Sequence, residues 1–195
     1  MGRLVVVIFG LMGTGKTTLA RELAAALGWP VLHSDMIRKE LAGIPPTAPV
    51  REEFGRGIYS ADFSARTYAE MRRRAEEYLQ TGAPGVILDA SFKSAQERRL
   101  VRELARNSGA EAVFVLCQCP RETVRERLSR RAAVASISDG RLEILELQEQ
   151  DFEPPRADEE PWFRLDTGQE LPVALAQVKE FLRRRGGFPG GKEAG

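Results

Sequence analysis

Short apolar runs alternate with longer segments of helical periodicity along most of this sequence. The apolar runs predict five strands, at Leu4–Phe9, Pro30–His33, Gly85–Leu88, Ala112–Leu116 and Trp162–Leu165. The helical spacing of apolar residues predicts helices at Lys16–Leu27, Asp35–Leu41, Ala61–Gln80, Ala95–Asn107, Arg121–Ala133, Arg141–Asp151 and Leu171–Arg185. This alternation is typical of an α/β fold, in which a parallel sheet carries helices on both faces.

Two segments lack this periodicity. Residues Gly43–Tyr59 contain several prolines and glycines and predict a long irregular loop, of a kind that is often functional. From Gly186 onward the sequence is rich in Gly and Pro, which predicts a disordered tail at 186–195. With 195 residues and 43% hydrophobic content, residues 1–185 are predicted to form a single domain.

The segment from Gly10 to Thr17 fits the phosphate-binding pattern G-x-x-x-x-G-K-[ST] and lies between a predicted strand and a predicted helix. The pattern predicts binding of ATP or GTP, with Lys16 at the β/γ-phosphate oxygens and the Thr17 hydroxyl on Mg²⁺. Thr18 is counted among the nucleotide-binding residues, although its position favours a helix residue over a ligand. The predicted nucleotide-binding residues of this loop are Gly10, Met12, Gly13, Thr14, Gly15, Lys16, Thr17 and Thr18. A glycine-rich turn that binds nothing is the alternative.

Charge and cysteine content narrow the choice of partners. A formal net charge of +1 gives no global field to recruit nucleic acid or an anionic membrane. Cys117 and Cys119 are predicted to be small buried hydrophobes, because one distant histidine, His33, cannot complete a four-ligand zinc site with them. The N-terminal apolar stretch is too short to span a membrane, so we expect no membrane partner and a cytoplasmic protein.

Three predicted strands are followed closely by an acid, at Asp35, Asp89 and Asp166, and the first two could act in chemistry. Asp35 follows the second strand, with Arg38 one helical turn later. The carboxylate could accept the proton of an attacking hydroxyl, and the guanidinium could hold an anionic group. Asp89 follows the third strand and could hold Mg²⁺ or orient the acceptor. The alternatives are helix or loop capping by either acid, with an ion pair between Asp35 and Lys39.

The helix predicted at Arg121–Ala133 carries an excess of arginines, with Arg127 and Arg131 on one face. An arginine from a mobile lid can stabilise the charge that develops on a transferring phosphoryl group, so both are candidate catalytic residues. The alternative is a solvated helix surface with a pair between Glu126 and Arg130. The run Arg72–Arg74 is interpreted as a helix surface.

Six motifs in this order resemble the nucleoside-monophosphate-kinase-like group of P-loop kinases. They are GLMGTGKTTLA, HSDMIRKELAG, YSADFSARTYAEM, VILDASF, RERLSRR and RLDTG, and they cover nearly the whole chain. The resemblance is closest to a bacterial branch of predicted kinases related to polynucleotide 5′-hydroxyl kinases, zeta toxins and gluconate kinases. Members of this branch are often fused behind an aminoglycoside-phosphotransferase-like domain, which is not seen in this sequence.

The resemblance implies a three-layer fold with a five-stranded parallel sheet in the order 2-3-1-4-5 and a mobile lid. It implies that Lys16 and Thr17 serve phosphate and Mg²⁺, that Asp35 is the base, that Arg127 is a lid arginine, and that Thr167 lies near adenine. The catalytic residues predicted in this way are Lys16, Asp35, Arg127 and Arg131. The predicted acceptor-binding residues are Asp35, Arg38 and Asp89, and the predicted metal ligands are Thr17 and Asp89.

Three functions are therefore open at the level of sequence. The leading hypothesis is an ATP-dependent kinase that phosphorylates a hydroxyl group of a small molecule. The second is a polynucleotide 5′-hydroxyl kinase, since the spacing of Asp35 and Arg38 resembles those enzymes. The third is a nucleotide-dependent switch that hydrolyses ATP slowly. The sequence names neither the acceptor nor the oligomeric state.

Overall fold

The computed structural model describes residues 2–48, 55–133 and 139–186, apart from the side chains of 131–133 and 139–143. Its strands are β1 (Arg3–Phe9), β2 (Val31–His33), β3 (Gly85–Asp89), β4 (Ala110–Gln118) and β5 (Trp162–Asp166). Its α-helices are α1 (Lys16–Leu27), α2 (Ser34–Leu41), α3 (Ala61–Gln80), α4 (Ala95–Asn107), α5 (Arg121–Ala133), α6 (Asp139–Asp151) and α7 (Leu171–Arg184). Single 3₁₀ turns occur at Gly57–Tyr59 and Ala157–Glu159. Part of the predicted loop, 49–54, and most of the predicted tail, 187–195, lie outside the described residues.

All strands pair in parallel, in the order β2-β3-β1-β4-β5, which confirms the predicted topology. The strand that departs most from its predicted bounds is β4, which extends two residues beyond the apolar run at each end. Main-chain pairing explains the extension, because Ala110 pairs with Arg3 and Gln118 pairs with Asp166. Backbone hydrogen bonds therefore carry the strand past the residues whose side chains are apolar.

The central strand β1 divides the core into two layers. On one face, Val5, Val7 and Phe9 pack against α3 and α4. On the other face, Leu4, Val6 and Ile8 pack against α1 and α7. Successive side chains of a strand point to opposite faces, so a continuous apolar run needs a helical layer on each side. The structure supplies both layers, as predicted.

A buried ion pair links α4 to the segment that precedes β5. Arg98 is fully buried and donates to both carboxylate oxygens of Glu159, at 2.8 and 3.0 Å. Its remaining nitrogen donates to the main-chain oxygen of Phe92 at 2.9 Å. Burial favours a raised pKa for Glu159, but the hydrogen bonds and charge of Arg98 outweigh it and hold that pKa below its usual value. The pair thus fixes the β3–α4 connection.

No helix in the described ranges is long and apolar enough to cross a membrane.

Replacing Glu159 with Gln is expected to lower the free energy of unfolding by about 3–5 kcal/mol at pH 7, because Arg98 would remain buried without a counter-charge. The folded-state pKa of Glu159 is depressed, so its contribution is present above the unfolded value of about 4.3 and is lost as the pH falls through the folded value. Urea denaturation at pH 7 and at about pH 3 measures both effects. Glu22→Gln, on an exposed position of α1, is the matched control, and equal costs for the two variants would contradict the prediction.

Candidate active site

The loop between β1 and α1 is shaped by glycines where other residues would collide. Gly10 has φ 137°, and a Cβ there would lie 2.4 Å from the main-chain oxygen of Cys117. A Cβ at Gly13 would lie 2.8 Å from a methyl group of Val124 on α5. Because α1 begins at Lys16, directly after the loop, the unpaired N–H groups of its first turn face the loop opening. The arrangement suits an anion such as a phosphate chain.

Two side chains of the loop close it on one carbonyl. The Lys16 ammonium donates to the main-chain oxygen of Leu11 at 2.6 Å, and the Thr14 hydroxyl donates to the same oxygen at 2.8 Å. Lys16 also lines a cavity of about 480 Å³ at the mouth of the loop. Its charge is therefore held beside the position that the loop offers to an anion.

Asp89 ends β3 and joins three elements through one oxygen. Its Oδ2 accepts hydrogen bonds from the Thr17 hydroxyl and from His33 Nδ1, each at 2.8 Å. Asp89 is buried, and its strand lies between β1 and β2, so the residue faces both neighbouring strand ends. The structure thus brings together the two residues predicted to hold the metal. The partnership with His33 was not predicted, although its place at the end of a strand could have indicated it.

The same cavity is lined by Asp35 and Arg38, which are on α2. The helix begins at Ser34 and His33 is its N-cap, so capping by Asp35 is wrong as an alternative. The predicted contact with Lys39 is present, at 3.4 Å, while the Asp35 side chain is 61% exposed. The carboxylate is therefore accessible from the cavity as well as paired.

Arg38 is held firmly in this cavity. Its guanidinium donates to the main-chain oxygen of Ile58 and to Ser64 Oγ, and it lies 5.3 Å from the centre of the Tyr59 ring. Burial lowers the pKa of Arg38, while the nearby groups, including Asp35, favour its charge. A guanidinium stays protonated under such conditions. A fixed positive charge therefore lies beside Asp35, with the 3₁₀ turn at Gly57–Tyr59 above it.

A second cavity, of about 510 Å³, lies on the other side of the loop and is lined by Gly15, Thr18, Arg127 and Thr167. The Thr167 hydroxyl contacts the main-chain oxygens of Thr14, at 2.6 Å, and Gln118, at 3.0 Å. Arg127 donates to the main-chain oxygen of Thr167 at 2.7 Å. Arg127 thus borders the second cavity. The predicted role of Arg127 at the transferring phosphate stays a prediction, and the side chain of Arg131 lies outside what the structure describes.

Two further residues of the first cavity were missed by the sequence analysis. The Tyr68 hydroxyl is 3.0 Å from Ser91 Oγ and accepts from the Phe92 N–H at 3.2 Å, and burial raises the pKa of Tyr68. Gln148, on α6, accepts from the Met12 N–H at 3.0 Å. Tyr68 lies within the motif YSADFSARTYAEM, to which no site residue was assigned, and Gln148 lies in none of the six motifs. In both cases the partner is distant in sequence.

The arginine run Arg72–Arg74 covers a helix surface, as interpreted. Its side chains pair with carboxylates of α2, α3 and α4, among them Glu40, Glu70 and Glu97.

Burial raises the pKa of Cys117 to about 12, which agrees with its predicted role as a small buried hydrophobe.

A family model described as an AAA domain matches residues 5–155, which is more than half of the chain. The chain belongs to this family. The matched range contains the phosphate-binding loop, Asp35 and Asp89, and it ends before β5. The matched range therefore includes every residue that lines the first cavity.

Curated relatives are similar to this chain at 27–29% sequence identity. An uncharacterized protein of Mycobacterium tuberculosis is 29% identical over 174 residues, which are 89% of this chain and 34% of that protein. The chain thus spans about a third of the length of this relative. The shikimate kinase of Moorella thermoacetica is 27% identical over 91% of this chain and 94% of that enzyme. The gluconokinase of Gluconobacter oxydans is 27% identical over 88% of this chain and 87% of that enzyme.

Solved structures share the fold at lower identity. An unliganded sugar kinase from Janibacter sp. superposes with a TM-score of 0.68 at 20% identity, over 94% of this chain and 95% of that one. The APS kinase of Mycobacterium tuberculosis, solved with AMPPNP and APS, gives a TM-score of 0.67 at 21% identity, over 93% and 98%. These likenesses establish that the α/β architecture is that of P-loop kinases.

Replacing Gly10 with Ala is expected to destabilise the chain more than replacing Gly28 with Ala. Both residues have positive φ, but a Cβ at Gly28 would meet nothing within 4 Å, whereas one at Gly10 would collide with the Cys117 carbonyl. The collision adds a cost of about 1–3 kcal/mol to the backbone strain that both variants share. Thermal unfolding of the two variants measures the difference. Equal melting temperatures would show that the loop does not need this close approach.

Proposed function

We propose that this chain transfers the γ-phosphoryl group of ATP to a hydroxyl group of a small molecule. The observation that carries the proposal is that Lys16 and Thr17 of the phosphate-binding loop share one cavity with Asp35 and Arg38 of α2. A donor phosphate and an acceptor hydroxyl could therefore meet there. The cavity of about 480 Å³ is within the range of small-molecule sites, roughly 300–1,000 Å³.

Thr17 and Asp89 would hold Mg²⁺ in this proposal. Hydroxyl and carboxylate oxygens are ligands that Mg²⁺ prefers, and Mg²⁺ is commonly bound by one or two protein groups together with substrate phosphates. In the described part of the chain, no group of three or more His, Cys, Asp or Glu residues could hold a metal by itself. A site that is completed by phosphate oxygens fits this donor set. Bound Mg²⁺ would neutralise charge on the phosphate chain.

The chemical step assigned to the chain is an in-line displacement. The acceptor oxygen forms a bond to the γ-phosphorus, the bond from that phosphorus to the β–γ bridging oxygen breaks, and ADP leaves. Asp35 accepts the hydroxyl proton, which its partial exposure to the cavity permits. Lys16 offsets negative charge on the phosphate oxygens. Arg38, held by Ile58 and Ser64, orients the acceptor.

The nucleoside of ATP is assigned to the second cavity. Gly15, Thr18 and Thr167 line it, and the loop separates it from the cavity of Asp35. Arg127 borders this second cavity, so its guanidinium can contact the bound nucleotide from that side. A role for Arg131 in the transfer is part of the same proposal.

The names of the relatives support a small hydroxylated acceptor. A shikimate kinase and a gluconokinase each align with most of this chain. The aligned region is 34% of the length of the mycobacterial relative. The kinase activity assigned to this chain is therefore a proposal for the aligned region. A polynucleotide 5′ end is the alternative acceptor, and its binding would weaken steeply with salt.

Replacing Lys16 with Ala is expected to lower kcat by roughly 10²–10³ and to weaken nucleotide binding, because the charge beside the phosphates is lost. Steady-state kinetics with labelled ATP and equilibrium binding measure the two effects. Lys179→Ala, on α7, is the matched control. Full activity in the Lys16 variant would exclude the loop from catalysis.

Replacing Asp35 with Asn is expected to lower phosphoryl transfer by roughly 10²–10⁴ while ATP affinity stays nearly unchanged, because the base is lost and the loop is intact. The assay offers γ-labelled ATP and Mg²⁺ to pooled sugars, antibiotics, nucleosides and 5′-hydroxyl oligonucleotides. Asp158→Asn, on an exposed turn, is the control. If the wild-type chain and the Asp158 control label one pool and the Asp35 variant does not, that pool contains the acceptor class. A fully active variant would disprove the assignment of the base.

A further inference from the structure

A side chain from α6 contacts the phosphate-binding loop. The Met12 N–H donates to Gln148 Oε1 at 3.0 Å, across 136 positions of sequence. A main-chain N–H can only donate, so the oxygen of the carboxamide must face Met12. This contact settles the orientation of the amide, which leaves the amino group with two donors on its other side. The Gln148 side chain forms no other hydrogen bond within the described residues.

Gln148 lies between two apolar residues that pack inward, Leu145 on α6 and Phe152 directly after the helix. Leu145, one turn before it, is buried against Val124 and Leu128 of α5. Phe152, one turn after it, stacks on Phe9 with ring centres 6.4 Å apart. Leu145 and Gln148 are three positions apart and share one face of α6, so Gln148 is directed to the side on which Leu145 packs. A polar group on such a side needs a partner.

The C-terminal end of α6 is fixed to the connection that follows β3. Lys93 and Asp151 form an ion pair at 2.7 Å. The Glu153 carboxylate accepts from the Ala95 N–H at 2.7 Å, and the Glu153 N–H donates to the Lys93 carbonyl at 2.9 Å. Since this connection directly follows Asp89, α6 and the site share a support. The position of Gln148 is therefore set by several contacts besides its own.

Gln148 lies in the cavity that the proposed function assigns to the acceptor. It lines the cavity that contains Asp35 and Asp89, whereas the second cavity is lined by Thr18 and Thr167. If the nucleoside occupies the second cavity, the terminal phosphate projects into the first. In that arrangement we expect the γ-phosphate, of the three phosphates, to lie nearest to the Gln148 amino group.

We propose that Gln148 recognises the γ-phosphoryl group, with its oxygen held by the Met12 N–H and its amino group donating to a γ-phosphoryl oxygen. This inference rests on the proposed function. A neutral donor there distinguishes a triphosphate from a diphosphate, because only the triphosphate offers the accepting oxygen. It also stabilises negative charge on the oxygens of the transferring group. Gln148 is thus a catalytic residue of α6 as well as a link between this helix and the loop.

Replacing Gln148 with Glu provides the test, because a carboxylate still accepts from Met12 but offers negative charge in place of two donors. The affinity for AMPPNP is expected to fall by about 10- to 100-fold, and the affinity for ADP by less than about 2-fold. Calorimetry with each nucleotide and Mg²⁺ measures the ratio. Gln150→Glu, on an exposed position of the same helix, adds the same charge away from the site and is expected to leave the ratio unchanged.

A purely structural role for Gln148 would weaken AMPPNP and ADP equally, and that result would overturn the inference. If the Glu variant does not fold, Gln148→Met keeps the length of the side chain and is expected to lower the AMPPNP-to-ADP affinity ratio as well. An unchanged ratio in that variant also overturns the inference. A wild-type chain that transfers phosphate would then retain the proposed function. A wild-type chain that neither binds AMPPNP nor transfers phosphate would refute the function and the inference together.

Discussion

A parallel sheet places the carboxyl ends of all its strands at one edge, and every part of the candidate site depends on that constraint. The loop follows β1, His33 ends β2 and Asp89 ends β3. The strand order places β3 between the other two, with Asp89 in register with Ile8 on one side and His33 on the other. One carboxylate can therefore reach both the helix after β1 and the end of β2. A different strand order would separate these groups.

The charges of the site are arranged by burial as much as by proximity. Arg38 is fixed by a carbonyl, a hydroxyl and an aromatic ring, while Asp35 on the preceding turn is largely exposed. A buried cation that is already hydrogen-bonded binds an anionic or polar group without much loss of side-chain freedom. An exposed carboxylate can exchange a proton with an incoming hydroxyl. The two residues are only three positions apart in sequence, and they are suited to different tasks because their surroundings differ.

The sequence predicted the features that depend on local pattern. Apolar runs indicated each strand, and the residues directly after them indicated Asp35 and Asp89. The bounds of β4 were too short because main-chain pairing does not require apolar side chains. Contacts across long separations left no pattern, as with Gln148 and Met12 or Arg98 and Glu159. Arg98 in particular is indistinguishable, by sequence, from the exposed arginines of an amphipathic helix.

The loop is contacted by both helices of the α5–α6 pair, and the absence of a side chain at Gly13 allows the close approach of α5. Val124 of α5 would be 2.8 Å from a Cβ at Gly13, and Leu145 of α6 packs in the same cluster. Arg127 of α5 borders the second cavity, and Gln148 of α6 borders the first cavity. The helix pair therefore touches both ends of the position assigned to the phosphate chain. Because Val124, Leu128 and Leu145 share one apolar cluster, α5 and α6 pack against the loop together, and we expect a shift of α5 to disturb the packing of α6 beside Gln148.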